Sequence, residues 1–326
     1  MALDPQVEEY YREKIKSKNF GLGTEDIALI RKGADETYND RNVTETIWRV
    51  EDTAAMRGDG GSVPLRVYRP DGGAGKPVIL YFHGGGFIMH NIASHDSLCR
   101  FIAKAADSVV VSVGYRLAPE HPYPAALDDG MAALSWAAEN AESFGGDPRM
   151  TVLGGDSAGA TISAAVALQP GRPDIAALML LYGMYGAVPV SESETVRRYG
   201  GGDFVLPEEM IEFCDRMYLS EAPCAAGGRY DPGLDPYYYG LMPGIAGCCD
   251  NVPPSYIISA EYDPLRQDGE AFAERMAERG VRVRQITAGG MMHGFALLYD
   301  RFDRGAELLR RICREIREDV TGRPGR

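Results

Sequence analysis

The sequence predicts an α/β fold: a doubly wound, mostly parallel sheet of about eight strands, flanked by helices and topped by a helical cap. Three observations carry this expectation. Residues 77–82 and 108–114 are nearly continuous apolar runs, the pattern of strands buried on both faces. Segments of helical spacing separate such runs, which implies parallel strands joined by right-handed crossovers. Thr151, Val152 and Leu153 then lead into Gly155-Asp156-Ser157-Ala158-Gly159, a G-x-S-x-G pattern that turns a strand sharply into a helix with the serine at its apex.

The elements follow in order. Residues 5–17 and 24–40 have amphipathic helical spacing. Asp4-Pro5 starts the first helix, and Thr24 with Glu25 and Asp26 gives the second an acidic first turn. Both precede any strand, so they are expected to lie over the core as part of a lid. Residues 47–69 alternate around Arg57-Gly58-Asp59-Gly60-Gly61 and read as a hairpin. Strand 77–82, helix 92–106 and strand 108–114 form one crossover unit, and a helix follows near 125–144. Residues 158–168 are small and apolar, as suits a helix beneath a sheet.

Beyond it come a strand at 176–182, a polar insertion at 188–225, and a strand at 255–260. A helix at 265–279 ends at Gly280, before a strand at 281–287 and a helix near 303–317. The insertion carries Pro207-Glu208-Glu209, a helix start, with Met210, Phe213, Met217 and Tyr218 at helical spacing. It adds no strand, so it reads as the second half of the lid. With no repeat or linker, residues 1–326 are expected to form a single domain, capped by about 1–45 and 188–225.

Composition narrows the partners. The 34 basic and 47 acidic residues give a net charge of −13, which argues against nucleic acid or an anionic membrane. The first residues are polar, and no stretch approaches the roughly 18 continuous apolar residues of a membrane span. A cytoplasmic location is expected. The six cysteines include no C-x-x-C pair, so adjacent Cys248 and Cys249 read as reduced thiols rather than a metal or redox site.

Ligands of open parallel sheets bind outside the carboxyl ends of the strands, and reactive residues cluster at those ends here. A serine hydroxyl needs a neighbouring base to become a nucleophile. Of the five histidines, His293 alone follows the last strand, on a Gly-flanked loop. Ser157, Asp263 and His293 stand in an order known from serine hydrolases, nucleophile then acid then base. Asp263 would accept a hydrogen bond from one ring nitrogen and stabilise the imidazolium. Glu261 and Asp268 are competing carboxylates, the first expected in its strand and the second in the next helix. Gly84-Gly85-Gly86 can turn backbone N–H groups toward an oxyanion, joined by the N–H of Ala158. A phosphate loop is the other reading of these glycines, but neither G-x-G-x-x-G nor G-K-[ST] occurs here.

Five motifs together resemble the hormone-sensitive-lipase family of carboxylesterases. They are His83-Gly-Gly-Gly86, residues 115–124 (YRLAPEHPYP), Gly155-Asp-Ser-Ala-Gly159, residues 263–269 (DPLRQDG) and His293-Gly-Phe295. The resemblance spans essentially the whole chain and implies an α/β-hydrolase fold, no metal or organic cofactor, and hydrolysis of short-chain, acetyl-type carboxylic esters. Carried over by motif, Ser157 is the nucleophile, Asp263 the acid and His293 the base, with Gly85, Gly86 and Ala158 as the oxyanion hole. His83 and residues 115–124 become scaffolding, and Asp156 orients the elbow.

Segment 224–251, with Tyr237-Tyr238-Tyr239, departs from the family pattern and reads either as a variable surface loop or as pocket lining. Met184 and Tyr185, just past a strand, are further candidates for substrate contact. An amidase or peptidase would use the same triad. A non-catalytic ligand-binding relative would lack the histidine that His293 supplies. A small-molecule ester is the expected partner, and the sequence leaves room for a homodimer.

Overall fold

The structure, a computed structural model, describes residues 2–16, 26–38, 45–202, 205–220 and 252–322. The eight strands are β1 (Arg49–Met56), β2 (Ser62–Arg69), β3 (Lys76–Phe82), β4 (Val109–Val113), β5 (Gly146–Asp156), β6 (Ala177–Leu181), β7 (Ser255–Tyr262) and β8 (Val283–Met292). They form one sheet in the order β1-β2-β4-β3-β5-β6-β7-β8. Only the pairings of β2 with β1 and with β4 are antiparallel. The helices are α1 (Pro5–Lys16), α2 (Ile27–Tyr38), α3 (Asp96–Ala106), α4 (Ala125–Asn140), α5 (Ala158–Ala167), α6 (Glu194–Tyr199), α7 (Glu208–Tyr218), α8 (Arg266–Glu278) and α9 (Asp303–Thr321).

Strand periodicity divides the core into two layers. In β3, Val78, Leu80 and Phe82 join the apolar cluster that includes α4 and α5, whereas Ile79 and Tyr81 join the one built on α3 and α9. Helix α5 is buried along its whole length, which explains why its ten residues are small and apolar. Among the described residues, no helix is long and apolar enough to cross a membrane.

Three local details differ from expectation. Helix α3 begins at Asp96 rather than 92, because Asn91 and Ser94 bond reciprocally and hold a turn: each backbone N–H donates to the other's side-chain oxygen at 3.0 Å. Strand β8 continues through Gly289 and Gly290 to Met292, where it still pairs with Tyr262 of β7. The backbone N–H of Gly290 donates to Glu261 at 2.7 Å, and the longer strand delivers His293 directly from its end. Helix α6 lies within what reads from sequence as a polar insertion. Helix α1 also packs near the end of β8 and on α9's start: Asp4 N–H donates to Gly290 O at 3.1 Å, and Tyr10 meets Phe302 edge-on at 5.7 Å. Segment 224–251, with its tyrosines and Cys248-Cys249, lies outside the described residues. Cys99, Cys214 and Cys313 are free and buried.

Candidate active site

Ser157 stands between the last residue of β5 and the first of α5, with φ 51° and ψ −123°. A non-glycine residue held there is strained, and the surroundings must over-determine it. They do so by close approach. A Cβ on Gly159 would lie 2.0 Å from the Phe82 carbonyl oxygen, and one on Gly155 would lie 2.4 Å from the Gly159 backbone. Only residues without side chains let α5 pack this tightly on β3, and the Ser157 N–H donates to Leu181 O at 2.8 Å.

His293 follows β8 and Asp263 follows β7, so parallel pairing of those strands sets the two side by side. His293 Nε2 is 3.0 Å from Ser157 Oγ, and His293 Nδ1 is 2.8 Å from Asp263 Oδ2. Asp263 is fully buried, and its other oxygen accepts the Leu265 N–H at 2.8 Å. With the proton on Nδ1, the Nε2 lone pair faces the serine hydroxyl, the arrangement a general base requires. The competing carboxylates are engaged elsewhere: Asp268 accepts the N–H groups of Tyr185 and Val188 at 2.5 and 2.9 Å, and Glu261 accepts that of Gly290.

Opposite His293, Gly85 and Gly86 adopt φ 120° and 57°. A Cβ on Gly85 would lie 2.2 Å from the Met89 carbonyl oxygen, so this turn needs glycine. Gly85, Gly86 and Ala158 line the same cavity as Ser157, and among the described residues their N–H groups have no protein acceptor. Three free donors around one hydroxyl can hold a developing oxyanion.

Beneath this loop lies a buried polar support. Asp156 accepts from Tyr81 Oη at 2.9 Å and from Gly84 N–H at 3.0 Å, with His95 Nε2 at 3.2 Å. Burial raises its carboxyl pKa, but the facing His95 and the Tyr81 hydrogen bond outweigh that and leave it below the ordinary value. His83 Nδ1 donates to Gly84 O at 2.8 Å, and its ring stacks on Tyr115 at 4.2 Å. Burial and then the neighbouring His95 push His83 down to about 3, so it is neutral at physiological pH.

The cavity above Ser157 has a volume of about 190 Å³. Helix α2 contributes Ile30 and Ala34 to its wall, and α7 contributes Met210, Ile211 and Asp215. Met184 lines it. Tyr185 does not: it is fully buried and stacks on Phe272 at 4.2 Å, because the turn after β6 directs it toward α8. Sequence reasoning missed Tyr182, whose ring meets His293 edge-on at 5.0 Å with φ 40° at its backbone. It also missed His90 and Asp215 at the cavity wall. Asp215 lies far from any motif, and His90, four residues past Gly86, carries no pattern of its own that marks it as facing the cavity.

A model of the α/β-hydrolase fold family matches residues 79–297. The chain is 36% identical over 253 residues to the carboxylic ester hydrolase LipN of Mycobacterium tuberculosis, spanning 75% of this chain but only 64% of LipN. It is 39% identical over 250 residues to the esterase LipI of the same organism, covering 74% and 73% of the two chains. The structure of a hyperthermophilic esterase from Pyrobaculum calidifontis superposes with a TM-score of 0.84 at 30% identity, covering 98% of this chain and 99% of that one. The chain therefore belongs to the α/β-hydrolase-fold family, among its hormone-sensitive-lipase-like carboxylesterases.

Proposed function

We propose that this protein hydrolyses short-chain carboxylic esters through an acyl-enzyme on Ser157. The observation that carries the reading is the continuous hydrogen-bonded line Ser157–His293–Asp263, facing the three free N–H donors. His293 Nε2 takes the serine proton as Oγ attacks the ester carbonyl. Asp263 holds the ring in the productive tautomer and stabilises the imidazolium. The carbonyl oxygen gathers charge against the N–H groups of Gly85, Gly86 and Ala158, each such donor typically supplying on the order of 10²–10³ in rate. The imidazolium gives its proton to the leaving alkoxide, and the alcohol departs. Water activated by the same nitrogen then releases the acid.

The acyl group is of acetyl type, and Met184, on the cavity wall, would contact the substrate. A cap formed by about 1–45 and 188–225 covers one domain, and α1, α2, α6 and α7 are its described helices. The substrate is a small molecule. Nucleic acid and membrane are not partners, the location is cytoplasmic, and a homodimer is an allowed assembly. Replacing Ser157 with alanine tests the reading. Turnover of a chromogenic acetyl ester should fall by at least roughly 10⁴-fold while the far-ultraviolet spectrum and melting temperature hold. Retained hydrolysis would remove Ser157 from the mechanism.

A further inference from the structure

Among the described residues two carboxylates line the cavity over Ser157, and they differ in their partners. Asp156 is engaged through Oδ1 by Tyr81, Gly84 and His95. Asp215, on α7, has no hydrogen-bond or ion-pair partner among the described residues. Its neighbours on the cavity wall are Met210, Ile211 and Cys214, all apolar, and among the described residues no lysine or arginine lines the cavity. The adjacent cation, Arg216, is exposed and lies over the ring of Phe213, 5.4 Å from its centre. Asp215 is half-buried, and a carboxylate left unpaired against apolar surface bears the cost of the hydration it has lost, unless the ligand itself supplies the partner. Burial, with the negative charges of Asp268 and Glu212, pushes its carboxyl up to about 7, as expected of a site that lacks a cation.

We propose that Asp215 is a specificity-determining residue that selects esters carrying an ammonium group on the part of the substrate lying against α7. The inference rests on the reading that the cavity over Ser157 receives the ester. An ammonium carried into the cavity pairs with a half-buried carboxylate, so the attraction is stronger than on an open surface. A neutral substrate of the same shape forfeits it and leaves the carboxylate unpaired.

Matched esters that differ only in charge test this. Acetylcholine and its neutral isostere 3,3-dimethylbutyl acetate place the cation in the alcohol; p-nitrophenyl esters of 4-trimethylammoniobutanoate and 5,5-dimethylhexanoate place it in the acyl group. At about pH 8, where the carboxyl is ionised, the ratio of kcat/KM for the charged over the neutral ester should fall about tenfold on Asp215→Asn and Asp215→Leu in at least one pair. A ratio that moves less than about threefold in both pairs, in both variants, overturns the proposal. A second readout needs no turnover. Calorimetry should detect tetramethylammonium binding to Ser157→Ala protein, and Asp215→Asn in that background should abolish it. Equal binding with and without Asp215 overturns the proposal. If wild-type protein cleaves neither neutral ester, the hydrolytic reading fails instead, and the calorimetric result still judges Asp215.

Discussion

His90 lines the cavity beside the oxyanion loop, its ring edge-on to Tyr38 at 5.1 Å and 5.6 Å from that of His95. Burial, then His95 and His83, lower its pKa from 6.5 to about 3. Between those values the unfolded chain binds a proton that the folded chain refuses, so stability is retained above about 6.5 and drains away as pH falls toward 3. Asp268, raised to about 6 by burial, acts in the opposite sense, since the folded chain takes its proton first. His90→Gln removes only the first contribution. Urea midpoints at pH 7 and 4.5 should show the variant losing less stability on acidification than wild type, by about 1 kcal/mol or more. Parallel losses would show that His90 titrates normally in the folded protein.

At the scale of elements, Arg31 makes the most hydrogen bonds from α2 to the catalytic loops, beside Asp35, which accepts from Asn91 Nδ2 at 3.1 Å, and Tyr38, which meets His90. Arg31 donates to Ile88 O at 2.7 Å and to Ala118 O at 2.9 Å, and forms a two-pronged pair with Glu120 at 2.7 Å. Ile88 belongs to the turn that closes on Gly85 O, so the same residue ties a cavity wall to the oxyanion loop. Magnitudes separate the two sets of bonds. Glu120 is 55% exposed, and exposed ion pairs contribute about 0–1 kcal/mol, whereas hydrogen bonds from a charged donor to a less exposed carbonyl contribute about 1.5–3 kcal/mol. Arg31→Met should therefore lower stability by about 2 kcal/mol and raise KM for a neutral ester, while Glu120→Gln should change either little. Chemical denaturation and steady-state kinetics check both. Equal losses in the two variants would assign the anchor to the ion pair.

For the whole molecule, what could be read in advance depended on how local each signal was. Ser157, Asp263 and His293 were legible because each sits in a short motif at a strand end, and a parallel sheet carries strand ends to one edge. The continuous apolar runs identified β3 and β4 because both their faces are buried. Tyr185 was misjudged because the turn after β6, not the strand pattern, decides which way a side chain faces. The end of β8 was placed too early: Gly289 and Gly290 have loop composition, yet pairing with β7 carries the strand through them. Asp215 and Arg31 gave no signal, since their significance lies in what α7 and α2 meet across the chain.

The central claim is that one serine becomes acylated, and covalent capture tests it most directly. Incubating the wild-type protein with a p-nitrophenyl alkylphosphonate ester should add one phosphonyl group by intact mass, with release of one equivalent of nitrophenol and loss of esterase activity. The adduct should map to the peptide containing Ser157, and Ser157→Ala should remain unlabelled. Inactivation with the label on any other residue, or label on the Ser157→Ala protein to the same extent, would contradict the account.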